Sequence, residues 1–197
     1  MDVPTLTTER LVLRELLPAD AADVLIIRGD PDVQKYDDPP IHTLQEAIDF
    51  IAEMRQACAT DQQQTWAVTR TGTSTVIGLV SLQYRNHRGD VYHRRAEVGY
   101  GLARASWGQG IGSEAVRAAV HYGFVQRKLN RIYAGTIAEN YKSVRLLERL
   151  GFVREGTRRQ HSLEDDGRFL DSAMYGLIRS DWGYDRLSVQ DLVPGGQ

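Results

Sequence analysis

The segment Trp107-Gly108-Gln109-Gly110-Ile111-Gly112-Ser113 constrains this chain more than any other stretch. It follows a strand-like run, Ala96-Glu97-Val98-Gly99-Tyr100-Gly101-Leu102-Ala103. It leads into a helical pattern over 113–128, with Ala115, Val116, Ala119, Val120 and Phe124 on one face. A chain that turns from strand to helix through alternate glycines gathers unpaired N–H groups at the positive end of the helix, a seat for an anion. Glycines there remove the side chains that would hold a phosphate or diphosphate away from the backbone. Two known anion loops do not fit. A nucleotide-hydrolase loop closes on Gly-Lys-Ser/Thr, and no lysine lies between Lys35 and Lys128. A dinucleotide fold places its loop after the first strand, whereas this one falls past mid-chain. The bland alternative is a tight turn that needs positive φ and binds nothing.

Around this turn, strands and helices alternate along the whole chain. Residues 5–17 read as a first strand, with Leu11, Leu13 and Glu15 alternating. Asp20 then stands as N-cap of a helix carrying Ala22, Val24, Leu25 and Ile26, which Arg28-Gly29-Asp30-Pro31 stops. Thr43 with Glu46 forms a capping box for a helix over 43–60. Strands follow over 65–69, 76–84 and 131–137, with a polar loop at 86–90. Asn140 caps the next helix, Val144, Leu147 and Leu150 face inward, and Gly151 is its C′ residue. From Phe152 a last hairpin turns at Asp165-Asp166-Gly167. At 197 residues the chain fits one domain. The mixture of elements predicts a single α/β domain over 1–185, with 186–197 a frayed tail.

Composition removes several classes of function. Lys+Arg 24 against Asp+Glu 26 gives a formal charge of −2, so no global positive field gathers nucleic acid or anionic lipid. The single cysteine, Cys58, falls in an apolar helical pattern with Ala47, Ile51 and Met54 and reads as core rather than nucleophile. Disulfide scaffolds and cysteine-based zinc sites are excluded. The five histidines, His42, His87, His93, His121 and His161, show no metal-ligand spacing, so no metal is expected. No secretory leader and no apolar run of about eighteen residues stands out, and a soluble cytoplasmic protein without membrane partners is expected.

The turn, the strand before it, and Asn140-x-x-Ser143-x-x-x-Leu147-x-x-x-Gly151-Phe152 together resemble the acetyl-CoA signature of the GNAT superfamily of N-acetyltransferases. Thr8-Glu9-Arg10-Leu11-x-Leu13-Arg14 and Asp166-Gly167-Arg168-x-x-Asp171 resemble its RimJ/RimL-like branch, the ribosomal-protein N-terminal acetyltransferases. The resemblance spans about 5–182. It implies a mixed, mostly antiparallel seven-stranded sheet with about four helices, opened like a V between its fourth and fifth strands. It further implies that the backbone of Tyr100, Gly101 and Leu102 holds the pantetheine of acetyl-CoA as an added strand would. The diphosphate would rest on the N–H groups of Gly108, Gln109, Gly110, Ile111, Gly112 and Ser113 next to Trp107, with the Gln109 and Arg104 side chains as supplements. Asn140 and Ser143 complete the cofactor side.

Acetyl transfer to an amine needs a neutral nucleophile, a polarised carbonyl and a leaving thiol. Glu97 is the expected base, acting through a water. Its alternative is a strand carboxylate paired with Arg94 or Arg95. Many relatives carry a tyrosine acid at the position of Leu147. Leucine cannot serve, so the role falls to Ser143, whose alternative is a capping or solvated hydroxyl. Asn140 would serve as both helix cap and cofactor partner. His87, His93, Arg94-Arg95 and Arg158-Arg159 read first as solvated groups, and Tyr92, Tyr100, Tyr133 and Tyr175 as core or groove lining.

The expected reaction is acetylation of a primary amine, foremost an α-amine of a protein or peptide. A small polyamine, amino acid or aminoglycoside is the alternative acceptor, favoured by an acidic pocket that Asp37-Asp38 or Glu164-Asp165-Asp166 would supply. A weak acyl-CoA-binding or sensing module is the alternative of another class. Exposed edges in the final hairpin would suit a homodimer.

Overall fold

The computed structural model describes residues 3–85, 95–163 and 167–183. Eight strands form one sheet in the order β1-β2-β3-β4-β5-β6-β8-β7. They are β1 Leu6–Thr7, β2 Leu11–Glu15, β3 Gln63–Arg70, β4 Val76–Tyr84, β5 Arg95–Leu102, β6 Arg131–Ile137, β7 Val153–Leu163 and β8 Phe169–Ile178. Five helices accompany them: α1 Ala21–Arg28, α2 Pro31–Gln34, α3 Leu44–Ala59, α4 Ile111–Val125 and α5 Tyr141–Arg149. The α/β class and mixed sheet agree with the sequence reading.

The expected seven strands become eight because the first breaks in two. Thr8 turns the chain, its hydroxyl accepting from the Leu11 N–H and its own N–H donating to the Leu11 carbonyl, so β1 and β2 pair as a tiny hairpin. The fifth helix is the single turn α2, capped by the Asp30 carboxylate, which accepts from the Asp32 N–H. Asp20 does not cap α1 through its side chain. Its carboxylate instead accepts the Leu17 N–H and pairs with Arg14 at 2.7 Å. The capping box of Thr43 and Glu46 forms as expected.

Every neighbouring pair of strands is antiparallel except β5 and β6, which are parallel. Parallel neighbours need a crossover, and α4 supplies it. Helices α1 and α3 cover one face of the sheet over a core of Leu16, Val24, Ile27, Ile51 and Leu79. Helices α4 and α5 cover the other, over a larger core with Trp66, Leu82, Phe124, Ile132 and Tyr175. Cys58 is buried, and burial pushes its thiol pKa up, as suits a packing residue. Among the described residues no helix is long and apolar enough to cross a membrane. The expected tail at 186–197, the loop at 86–90 and the residues Glu164, Asp165 and Asp166 lie outside the described residues.

Candidate active site

The site begins where the sheet parts. Strand β5 pairs with β4 from Tyr84↔Ala96 to Gly78↔Leu102, but with β6 only over Arg95↔Arg131, Ala96↔Ile132 and Glu97↔Tyr133. Beyond Glu97 the two parallel strands diverge, so the far half of β5 has a partner on one side only. Antiparallel pairing sends alternate residues' polar groups toward the partner. The Ala103 N–H donates to the Ile77 carbonyl, and the Arg95 carbonyl accepts from the Arg85 N–H. By that alternation Gly101 turns its backbone groups to β4, while Val98, Tyr100 and Leu102 turn theirs to the gap. Gly101 contributes space, since a Cβ there would meet nothing within 4 Å. The gap opens into a cleft of about 550 Å³, lined by β5 residues from Glu97 to Gly101, Gly135 and Thr136 of β6, Asn140 and Ser143, and by Gln34, Tyr36, Asp37 and Asp38.

At one end of the gap lies the glycine turn. Among the described residues no backbone carbonyl takes the N–H groups from Gly108 to Ser113; the first helical bond runs from the Glu114 N–H to the Gly110 carbonyl. The glycines meet different needs. Gly108 and Gly110 adopt φ of 74° and 77°, which side chains disfavour. Gly112 has ordinary φ, but a Cβ there would lie 2.9 Å from Leu102 Cδ1 and 3.0 Å from Leu146 Cδ1. Ile111 is wholly buried and anchors the turn, leaving Gly108, Gln109 and Gly110 exposed. Helix α4 starts at Ile111, two residues before the expected Ser113.

Side chains from distant elements brace this turn. Arg10 donates to the Gln109 carbonyl at 3.1 Å and pairs with Glu114 at 2.6 Å, while Thr8 donates to the same carboxylate at 2.6 Å. Arg70 donates to Gln109 Oε1, and Gln109 Nε2 donates to the Ala105 carbonyl. Trp107 Nε1 donates to the Leu102 carbonyl at 2.9 Å, and Lys142 Nζ lies 3.6 Å from the Trp107 ring centroid. Thr8-Glu9-Arg10 thus supports the loop, and Arg10, Arg70 and Lys142 bring positive charge beside it. The expected side-chain supplements are engaged elsewhere. Gln109 is held as described, and Arg104 pairs with Asp30 at 3.2 Å and Asp32 at 2.5 Å.

Glu97 stands at the apex of the split, the last residue of β5 in register with β6. It lines the cleft and pairs at 3.1 Å with Arg85, rather than with Arg95, while Arg94 lies outside the described residues. Asn140 caps α5, its Oδ1 accepting the Ser143 N–H at 3.2 Å. The Ser143 hydroxyl, half-buried at the cleft wall, lies 2.7 Å from the Tyr100 hydroxyl. Burial raises the Tyr100 pKa to about 12, although the Ser143 hydrogen bond acts the other way. Asp37, with no ion pair among the described residues, also lines the cleft. It keeps contact with solvent, yet crowding by protein first and the Asp38 charge second raise its carboxyl above the ordinary value.

Residues 10–153 match the family model described as an acetyltransferase (GNAT) domain. The chain is 35% identical to the uncharacterized N-acetyltransferase p20 of Bacillus licheniformis over 90% of its own length and 98% of that protein's. The chain belongs to the GNAT acetyltransferase family. It is 27% identical to the spermidine N(1)-acetyltransferase of Vibrio cholerae over 87% of this chain and 94% of that one. In fold it matches RimL, the ribosomal L7/L12 alpha-N-protein acetyltransferase in complex with coenzyme A. The TM-score is 0.78 and the identity 19%, over 90% of this chain and 98% of that one. The protein is a GNAT-type, acetyl-CoA-dependent N-acetyltransferase.

The donor set of this GNAT domain suits acetyl-CoA: bare N–H groups at a helix start for a diphosphate, and an unpaired strand flank for amide groups. Among the described residues no cluster of metal-binding side chains occurs. The structure brings Glu97, Tyr100, Gly101, Asn140 and Ser143 to one cleft. It sets Leu147 in the core, fully buried and outside the cleft lining. Arg158 and Arg159 lie on the exposed strand β7, away from the cleft. The sequence reading missed Arg10, Arg70, Arg85, Lys142 and the Tyr100 hydroxyl as partners. The Thr8-Glu9-Arg10 motif was the available signal for Arg10; for the others, pairing across many residues left none.

Proposed function

We propose that the enzyme acetylates the α-amine of a protein or peptide. In this reading the diphosphate of acetyl-CoA sits on the N–H groups of Gly108 to Ser113, and its pantetheine runs along the open flank of β5 at Tyr100 to Leu102. Glu97 takes the amine proton through a water, Asn140 fixes the start of α5, and Ser143 serves the sulfur.

The observation that carries the acceptor class is the poverty of the cleft in strong bases. Its described lining holds carboxylates but no histidine, and Glu97 is already paired with Arg85. Such a site suits an amine that arrives partly neutral. At pH 7 roughly a tenth to a sixth of an α-amine is neutral, against about one in 2,500 for a lysine side chain. The deciding experiment measures thiol release from acetyl-CoA across N-terminal peptides, polyamines and aminoglycosides. Turnover of α-amino peptides, with acetylated lysine side chains absent, is expected. Turnover confined to lysine side chains overturns the reading.

A second reading rests on Asp37. With Asp38 and Glu97 it makes three carboxylates lining one cleft, a pattern suited to a diammonium acceptor. Under that reading Asp37→Asn raises KM for polyamines at least about tenfold, the cost of roughly one charge-assisted hydrogen bond, and leaves peptides unaffected. Equal effects on both amine classes would remove it.

A further inference from the structure

Two hydroxyls meet across the mouth of the split sheet, and they come from different elements. Tyr100 rides on the half of β5 that β6 no longer flanks, Ser143 on the first turn of α5, and both line the cleft. Their oxygens lie 2.7 Å apart. Two hydroxyls in contact share one proton and leave the other free. The phenol is the more acidic and hence the better donor, so Tyr100 donates to Ser143 Oγ and the serine proton is left for the cleft. A hydroxyl that accepts one hydrogen bond donates a second more strongly.

We propose that Tyr100 is a positioning residue for the departing sulfur, acting through Ser143 as a two-hydroxyl chain from β5 to the cleft. This rests on the acetyl-CoA reading of the site. In the reaction the amine nitrogen forms a bond to the carbonyl carbon and the carbon–sulfur bond breaks. The electron pair of that bond goes to sulfur, and the amine proton is lost to water beside Glu97. The sulfur leaves as a thiolate and takes its proton from solvent afterward. Neither hydroxyl ionises: the proton of Tyr100 is held through the working pH range by burial. The chain acts by hydrogen-bonding the developing negative charge. Leu147, buried in the core, leaves the inward face of α5 without a phenol, since Tyr141 at the helix start is exposed, and β5 supplies one from the opposite wall.

The test needs no turnover. Coenzyme A is bound to the protein, and its thiol is titrated by the ultraviolet absorbance of the thiolate. In the unmodified protein the bound thiol is expected to titrate below free coenzyme A. Tyr100→Phe and Ser143→Ala should each weaken its acidity at least about threefold, half a unit of pKa by the logarithmic definition. The double variant should match Ser143→Ala alone, because Tyr100 has no route to the sulfur without the serine, and Ser143→Thr should retain most of the effect. A Tyr100→Phe protein titrating like the parent overturns the proposal, as does a double variant whose shift is the sum of the single shifts. Failure of the parent to bind coenzyme A would remove the reading of the site itself, a result distinct from either.

Discussion

Gly108, Gly110 and Gly112 fall within one turn, yet a side chain is refused at each for its own reason: backbone sign at the first two, neighbouring Leu102 and Leu146 methyls at the third. Gly110→Val should therefore distort the loop, since a β-branched residue held at positive φ costs about 1–3 kcal/mol. Differential scanning should show a small loss of stability, with acetyl-CoA affinity falling at least about tenfold. Leu147→Tyr tests the opposite kind of position. Because Leu147 is fully buried, the extra ring overpacks the core instead of restoring an acid, and about 1–3 kcal/mol of destabilisation without gain in kcat is expected from denaturant titration. A faster enzyme would show that the leucine's surroundings yield to the cleft. The positive φ of Gly108 and Gly110 was legible in the sequence because backbone freedom is a property of the residue, whereas the packing need at Gly112 was not, because Leu102 and Leu146 set it. The Tyr100 hydroxyl was not, because its partner is 43 positions away and only the fold brings them together.

Among the elements, the hairpin β1–β2 and helix α4 are coupled through Glu114, which binds Thr8 and Arg10 at once. Burial raises the Glu114 carboxyl, but these hydrogen bonds outweigh it and hold the group below its ordinary pKa. Burial raises Asp20 as well, and Arg14 and the Leu17 N–H more than reverse it. Both groups are depressed in the fold, so the stability they contribute is present above the unfolded carboxylate range near about 4 and is lost as pH falls through their folded values. Glu114→Gln should remove part of that dependence, costing about 1 kcal/mol at neutral pH and flattening the acid side of the stability profile. It should also weaken acetyl-CoA binding, because the Arg10 support of the Gln109 carbonyl loosens. An unchanged acid limb would show that the Glu114 contacts are replaced by solvent. Helix caps such as Thr43 with Glu46 were legible because donor and acceptor are three residues apart. Asp20 was misread because a plausible N-cap side chain found a stronger partner in Arg14.

In the whole molecule, one sheet with two cores holds its functional gap at the only described parallel junction, where α4 must cross over the sheet. An opening of the sheet there was implied by the family resemblance that the strand, glycine turn and helix carry. The break of the first strand at Thr8 was not, since no glycine or proline stands between Leu6 and Leu11 and only the Thr8–Leu11 hydrogen bonds mark the turn. The cleft's balance of charge also emerges only at this scale: Glu97 pairs with Arg85 and Asp38 with Arg28, while Asp37 lines the cleft with no ion pair among the described residues. The central claim is that the bare N–H groups of the glycine turn hold the diphosphate of acetyl-CoA. Isothermal titration of the parent and Gly110→Val with acetyl-CoA, and of the parent with acetyl-pantetheine, which lacks the diphosphate, tests it most directly. The account predicts saturable binding of acetyl-CoA by the parent, at least about tenfold weaker binding by a folded Gly110→Val, and weaker binding still of acetyl-pantetheine, given several charge-assisted hydrogen bonds lost. Equal affinity for acetyl-CoA and acetyl-pantetheine would contradict it.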